Sequence, residues 1–214
     1  MSQTQADSKL QSIKYFNPSR SVQEANSLIP KVADLVEKYQ KTLLTWKKEN
    51  DTIQHASDLL WDLARIAAIK SGKQNTWDAA WNFAWKEASY AARTNFGWYG
   101  NEFVSGETVK DAAHDAAKYA ARYAVFESVK EKLGGVNPFE YIIELYLMGL
   151  RPTYFRKIGD TEQFVIDFPL KLDGKNVLGC YLYGDKEISF THNWIEYCTN
   201  LKHLNNPDTK RSFV

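Results

Sequence analysis

The alanine pattern between Asp111 and Ala124 constrains the fold of this chain more than any other feature. Alanines recur there in pairs four residues apart, which suits a helix whose backbone approaches its neighbours closely. About forty residues later, the segment from Phe164 to Phe168 alternates in the way that suits a pleated, half-buried strand. The spacing of the apolar residues therefore changes along the chain from a helical to a strand period. We predict an α+β fold with the helices first and the sheet last.

The amino-terminal part predicts a bundle of about five amphipathic helices rich in alanine and tryptophan. Ser21 and Glu24 have the spacing of a capping box, so the first helix should begin there. Pro30 lies inside its apolar stripe, and this helix either restarts or bends at that residue. The second helix is expected to begin at Asp51 or Thr52, and the other three near Thr76, Glu107 and Asn137.

Two of these helices carry specific packing predictions. The second helix should turn Leu60, Ala64 and Ile66 toward the core. The fourth helix has an alanine face too wide for a single neighbour. We therefore expect it to pack against other helices on two sides.

Beyond Pro152 the apolar period becomes two and turn signals recur regularly. Gly159-Asp160, Asp173-Gly174 and Gly184-Asp185 separate runs of strand-forming residues. The pattern predicts a four-stranded antiparallel meander packed on the bundle, with strands at about 153–158, 163–172, 177–183 and 188–193. Pro169 should mark a bulge or an edge position because it lacks the ladder donor.

The length of 214 residues favours one cooperative α+β unit rather than two independent domains. We divide the chain into a mobile tail, the helical bundle, the antiparallel meander and a second tail, at residues 1–18, 19–151, 152–206 and 207–214. These boundaries follow the polar, aperiodic ends and the change of period near residue 151.

The charge balance disfavours two classes of partner. Lys and Arg number 27 against 26 Asp and Glu, and the formal net charge is +1. Such a chain has no overall field to attract nucleic acid or an anionic membrane. The amino terminus lacks an apolar leader, and the two cysteines are too few for a disulfide framework. A cytoplasmic location is therefore the expectation.

The last fifth of the chain holds the most suggestive chemical group: Cys180, His192, Cys198 and His203. Thiolates and imidazoles are the ligands that zinc prefers, although the short ligand spacings of zinc sites are missing. A nucleophilic pair of Cys198 with His192 or His203 is a second hypothesis. The favoured interpretation is buried thiols, with Cys180 packed as a small apolar residue.

A carboxylate and an imidazole lie one helical turn apart at Asp111 and His114. A di-iron site would need a second such pair and two further inward carboxylates, and the second pair is missing. The helical wheel instead groups His114 with Asp115, Lys118 and Arg122. We predict a solvated charged face there.

The aromatic residues divide into two groups. Trp77, Trp81 and Trp85 share the alanine face of the third helix, so packing in the core is favoured over lining a ligand site. The glycine-bearing connection after this helix contains further aromatic residues, which form either a lid or an exposed contact patch: Phe96, Trp98, Tyr99 and Phe103.

Standard catalytic and nucleotide-binding motifs are absent from the sequence, and we expect no cofactor. The leading hypothesis is therefore a non-enzymatic protein-interaction or assembly module that binds a protein partner or itself. One alternative is a small-molecule-binding protein or small enzyme with its pocket where helices meet sheet, near Trp98, Tyr99, His192 and Cys198. A defence or toxin-neutralising partner protein is a further alternative.

Overall fold

The computed structural model describes residue 9 and residues 20–49, 56–95, 106–158, 161–173 and 175–189. Within these residues, five α-helices are followed by a three-stranded antiparallel sheet. The helices are α1 (Val22–Glu49), α2 (Ala56–Lys70), α3 (Thr76–Asn95), α4 (Gly106–Val129) and α5 (Phe139–Leu147), and the strands are β1 (Arg151–Ile158), β2 (Thr161–Leu172) and β3 (Lys175–Leu182). The predicted α+β class is confirmed. Among the described residues, no helix is long and apolar enough to cross a bilayer.

The capping box that begins α1 forms as predicted. The Glu24 N–H donates to Ser21 Oγ at 3.2 Å, and the Ser21 N–H donates to Glu24 Oε2 at 2.7 Å. These two bonds satisfy backbone donors that the first helical turn leaves free. The helix then continues through Pro30 without restarting.

Helix α4 lies at the centre of the bundle and contacts α2, α3 and α5. Its buried alanines allow these close approaches on more than one side, as predicted from their spacing: Ala113, Ala116, Ala117, Ala120, Ala121 and Ala124. A short 3-10 helix, Lys130–Leu133, continues α4 and leads to the turn before α5.

Asn137 joins the end of α4 to the start of α5 and is almost fully buried. Its Oδ1 accepts a hydrogen bond from the Phe139 N–H at 3.2 Å, which is the predicted capping role. Its Nδ2 donates to the Tyr123 carbonyl at 3.0 Å and to Glu127 Oε2 at 3.1 Å. One polar side chain thus fixes the relative position of two helices.

The main aromatic core lies where α1 and α5 meet the sheet. Tyr39 of α1 packs against Phe139 of α5 and Phe164 of β2, with ring centroids 6.4 Å apart in both pairs. Phe126 of α4 contacts Phe139 edge to face at 6.0 Å. All four rings are buried. This layer joins the sheet to the bundle.

The sheet corrects the prediction of a four-stranded meander. Three strands pair in the order β1-β2-β3, and in the segment predicted as a fourth strand, 188–193, the described residues form only an isolated bridge between Ser189 and Cys180. After β3 the chain turns at Gly184-Asp185, and it lies beside Cys180 again only at Ser189. The Ile188 N–H donates to Asn26 Oδ1 of α1 at 3.0 Å, so this segment is tied to the bundle.

Pro169 occupies an edge position rather than a bulge. Cys180 exchanges both of its backbone hydrogen bonds with Ser189, so the Cys180–Asp167 and Leu178–Pro169 pairs are of the non-hydrogen-bonded kind. The Pro169 nitrogen therefore faces the side of β1, whose pairing with β2 ends at Asp167. The irregularity in register lies elsewhere, between Thr153 and Arg156.

Lys9 contacts α5, although it belongs to the segment predicted as a mobile tail. Its ammonium pairs with Glu140 at 3.0 Å and with Glu144 at 2.6 Å. It also lies 5.8 Å from the centroid of the buried Tyr123 ring. The rest of residues 1–18, and residues 190–214, lie outside the described part of the chain, so the predicted boundaries there remain predictions.

Candidate functional site

A cleft lies between α2 and the first turn of α3, and Val125 of α4 also lines it. Both helices pack on α4 more closely than on each other, and the space between them has a volume of about 430 Å³. We call it the indole cleft, and it is lined by Trp61, Arg65, Ala68, Ile69, Gln74, Trp77, Asp78 and Val125.

The α2 wall of the cleft arises from two neighbouring stripes on one helix. Leu60, Ala64 and Ala68 form a buried stripe that faces the bundle. Residues next to this stripe, at positions 61, 65 and 69, follow the same spacing of four and are only partly covered or exposed. Because α2 buries one stripe against the bundle, the adjacent stripe lies at the edge of that helix contact.

The turn between α2 and α3 is held on the end of α4 by lysine side chains. Lys73 Nζ donates to the Ser128 carbonyl at 2.9 Å, and Lys132 Nζ donates to Ser71 Oγ at 2.7 Å. Gly72 takes a positive φ of 69°, which ends α2 and reverses the chain. These hydrogen bonds fix the turn that joins the two walls of the cleft, α2 and α3.

Aromatic rings form a continuous row from the cleft along α3. The Trp61 and Trp77 ring centroids are 4.0 Å apart, and Trp77 stacks on Trp81 at 5.7 Å with an interplanar angle of 22°. The His114 ring lies edge-on to Trp81 at 5.0 Å and to Trp85 at 6.4 Å. All four indoles are half-buried against the margin of the core.

The prediction that Trp77, Trp81 and Trp85 pack in the core is only partly correct, because the rings pack against the core but stay partly exposed. The alanines of the same helix, Ala80 and Ala84, are buried instead. Close packing between α3 and α4 leaves no room for indoles between the two helices, so the rings spread to the side of the contact.

Two side chains of opposite charge face the indole cleft. Arg65 comes from α2 and Asp78 from the first turn of α3, and both are exposed. Neither forms an ion pair or a side-chain hydrogen bond with any other residue that the structure describes. The cleft therefore offers one cation and one anion beside an apolar surface.

The apolar surface extends beyond the cleft along α2. Ile69 is 51% exposed, and Ile66, one turn before it, is 49% exposed. The prediction that Ile66 faces the core is therefore wrong. Exposed large apolar residues next to partly covered indoles are typical of contact surfaces between proteins.

A second polar cluster lies inside the fold, between the sheet and α4. Arg151 NH2 contacts Asp115 Oδ2 at 2.9 Å, and Arg151 NH1 lies 3.7 Å from Asp167 Oδ2. Burial lowers the pKa of Arg151, but the carboxylates of Asp167 and Asp115 outweigh this effect, and the net shift is upward. This arrangement ties β1 and β2 to the bundle.

The predicted solvated face of α4 is only partly correct. His114 and Lys118 are exposed. Arg122, however, is 7% exposed, donates to Asp58 Oδ1 at 3.0 Å and lies 5.9 Å from the Phe139 ring centroid. The long arginine stem allows this residue to cross an apolar surface and still reach a carboxylate.

Most of the predicted site residues lie outside the described ranges. These are Phe96, Trp98, Tyr99, Phe103, His192, Cys198 and His203, together with the side chain of Asp111. Cys180 is described: its side chain is only half-buried, and it lies opposite Asp167 in the register of the sheet. Within the described ranges, no group of three histidine, cysteine or acidic residues could hold a metal ion.

Sequence reasoning missed five cleft residues: Trp61, Arg65 and Ile69 on α2, Gln74 on the turn, and Asp78 on α3. A usable signal was present, because α2 has apolar residues at positions 61, 66 and 69 outside its buried stripe. A helix that is apolar over more than one face needs a second covered surface.

The chain is similar to the family described as "Uncharacterized conserved protein (DUF2203)" over residues 155–200. The matched segment is less than a quarter of the chain; it includes β2 and β3 and excludes every residue of the indole cleft. No curated protein and no solved structure matches the chain. This similarity is confined to the sheet and the residues that follow it.

Proposed function

We propose that this protein is a non-enzymatic protein-interaction or assembly module whose contact surface is the indole cleft with Ile66. The observation that carries the proposal is the exposure of Ile69 beside the half-buried pair Trp61 and Trp77. Tryptophan and arginine are the residue types that contribute most to binding at protein interfaces, and the cleft presents both.

The physical reason is that covering this surface would be favourable. Each exposed isoleucine and each partly covered indole would lose contact with water in a complex, and burial of apolar area stabilises association. The walls of the cleft are helices anchored on α4, so little conformational freedom would be lost on binding. A preformed apolar surface with a few charges suits the binding of a protein partner better than catalysis.

A second candidate function is the binding of a small molecule in the same cleft. Its volume of about 430 Å³ lies within the range of about 300 to 1,000 Å³ that small-molecule sites occupy. We favour the first function because Arg65, Ile69, Gln74 and Asp78 are exposed at the walls, whereas ligand sites enclose most of their ligand. The predicted pocket at the junction of helices and sheet remains a separate prediction.

The test compares two substitutions that place a charge on an exposed apolar residue. Ile69→Glu alters the proposed surface, and Leu44→Glu alters α1, where Leu44 is exposed to a similar extent of 56%. Sedimentation velocity over a range of concentrations measures self-association of each variant and of the unaltered protein. We expect association for the unaltered protein and Leu44→Glu, and its loss in Ile69→Glu.

Two results would contradict this assignment of the surface. The first is association that Ile69→Glu leaves unchanged. The second is an unaltered protein that stays monomeric at about 100 μM, a concentration at which even weak specific contacts with Kd values in the micromolar range are populated.

A further inference from the structure

The charges that face the indole cleft are self-complementary. Arg65 is on one wall and Asp78 is on the other, and neither is paired within the part of the chain that the structure describes. In an interface with a two-fold axis, a residue i of one copy meets a residue j of the other, and the same contact occurs twice. One cation and one anion on the same surface therefore satisfy each other in two copies.

The apolar residues add to this complementarity. Ile66 and Ile69 lie on the same helix as Arg65, one turn apart, and both are about half exposed. Two copies placed face to face would cover these side chains and the indoles together, with the charges at the rim. The formal net charge of +1 leaves no strong repulsion between copies.

Other occupants fit the charges less well. A peptide of a single charge sign would leave either Arg65 or Asp78 unpaired in a desolvated contact, which is unfavourable. An anionic membrane or nucleic acid surface would repel Asp78. A second copy of this chain satisfies both charges with the same surface.

We propose that the indole cleft binds a second copy of this chain in a two-fold symmetric dimer, in which Arg65 of each copy pairs with Asp78 of the other. This inference rests on the proposed function and names its partner. The apolar residues supply most of the affinity, and the two ion pairs set the orientation of the copies.

The experiment uses charge reversal and mixing. Arg65→Asp places carboxylates opposite each other in the dimer, and Asp78→Arg does the same with guanidinium groups, so each variant alone should associate at least about tenfold more weakly. When the two variants are mixed, both cross-pairs become attractive again. Native mass spectrometry should show a heterodimer of the two, because their masses differ, and few homodimers.

Control variants separate this effect from a general change of charge. Lys186→Asp and Asp185→Arg make the same charge changes at exposed positions after β3, outside the cleft and away from α2, and both should associate as the unaltered protein does. The double variant Arg65→Asp/Asp78→Arg should regain homodimers. Circular dichroism of each variant confirms that it is folded.

The outcomes distinguish this proposal from the proposed function. If Ile69→Glu abolishes association but the mixture forms no heterodimer, the contact surface stands and the two-fold arrangement is overturned. If the unaltered protein is monomeric, both are overturned. A monomer that carries a stoichiometric organic adduct overturns the dimer and identifies a small molecule as the occupant.

Discussion

The aromatic residues of the core and those of the indole cleft differ in how their helices approach one another. Tyr39, Phe139 and Phe164 lie where α1, α5 and β2 meet less closely than α3 and α4 do, and the three rings are buried. Trp77 and Trp81 lie on a helix whose alanines contact α4 directly, so their rings remain at the margin. The same residue class therefore stabilises the fold in one region and forms surface in the other.

This difference separates stability from binding. A ring that is fully enclosed contributes to the free energy of folding, and its loss leaves a cavity. A ring at the margin contributes less to folding and keeps apolar area available to a partner. Substitutions in the two regions should therefore change different measured quantities.

The largest effect is expected in the core. Phe139→Ala removes a ring that contacts Tyr39 and Phe126, and it should lower the free energy of unfolding by about 4 kcal/mol. Urea denaturation followed by circular dichroism measures this value. A loss below about 1 kcal/mol would contradict the assignment of this layer as the main core.

The buried charge cluster should give the next largest effect. Arg151→Met removes the guanidinium that lies between Asp115 and the buried carboxylate of Asp167, which should cost about 3 kcal/mol of unfolding free energy. Replacing Asp167 by Leu in the same protein should restore part of this loss. The control is Lys38→Met, which breaks an exposed pair with Asp34 and should change stability far less. Equal effects of Arg151→Met and Lys38→Met would rule out a structural role for the cluster.

Gly179 tests the packing of the segment after β3. A methyl group at this position would lie 2.5 Å from Ile188 Cγ2 and 2.9 Å from Leu170 Cδ1. Gly179→Ala should therefore lower the unfolding free energy by about 2 kcal/mol, and this cost should recover in part when Ile188→Ala, which removes Cγ2, is already present. Thermal denaturation checks both variants. No recovery in the double variant would show that Ile188 is not the residue that conflicts.

The smallest effect at neutral pH is expected at Tyr123. Burial raises the pKa of its hydroxyl from 10.0 to about 12. The folded state holds the phenol proton more tightly than the unfolded state. The contribution of this group to the free energy of unfolding is therefore complete below pH 10 and is lost as the pH rises toward 12. Absorbance titration of tyrosinate should lose one late-ionising group in Tyr123→Phe. An unchanged titration curve would contradict the assignment.

The local elements were predictable because their signals are local. The capping box at Ser21, the cap at Asn137 and the turns that bound the strands depend on residues within four positions of each other. The depth of burial was not predictable in the same way. Periodicity indicates which face of α3 turns inward, but the distance between α3 and α4 decides whether Trp77 is enclosed.

The charged sites show the same limit. The wheel of α4 places Arg122 among polar residues, and nothing local indicates that its side chain crosses Phe139 to reach Asp58 on another helix. The pairing of Arg151 with Asp167 depends on the register between two strands. The indole cleft depends on the gap between α2 and α3, and a single sequence does not determine such tertiary distances.

The most direct test of this account is the association constant of Trp77→Ala, measured by sedimentation velocity together with its unfolding free energy. We predict that association falls at least about tenfold while stability falls by only about 1 kcal/mol, well below the loss in Phe139→Ala. Unchanged association with a loss of stability like that of Phe139→Ala would contradict it. Trp77 would then be a core residue, and the cleft would not be a binding surface.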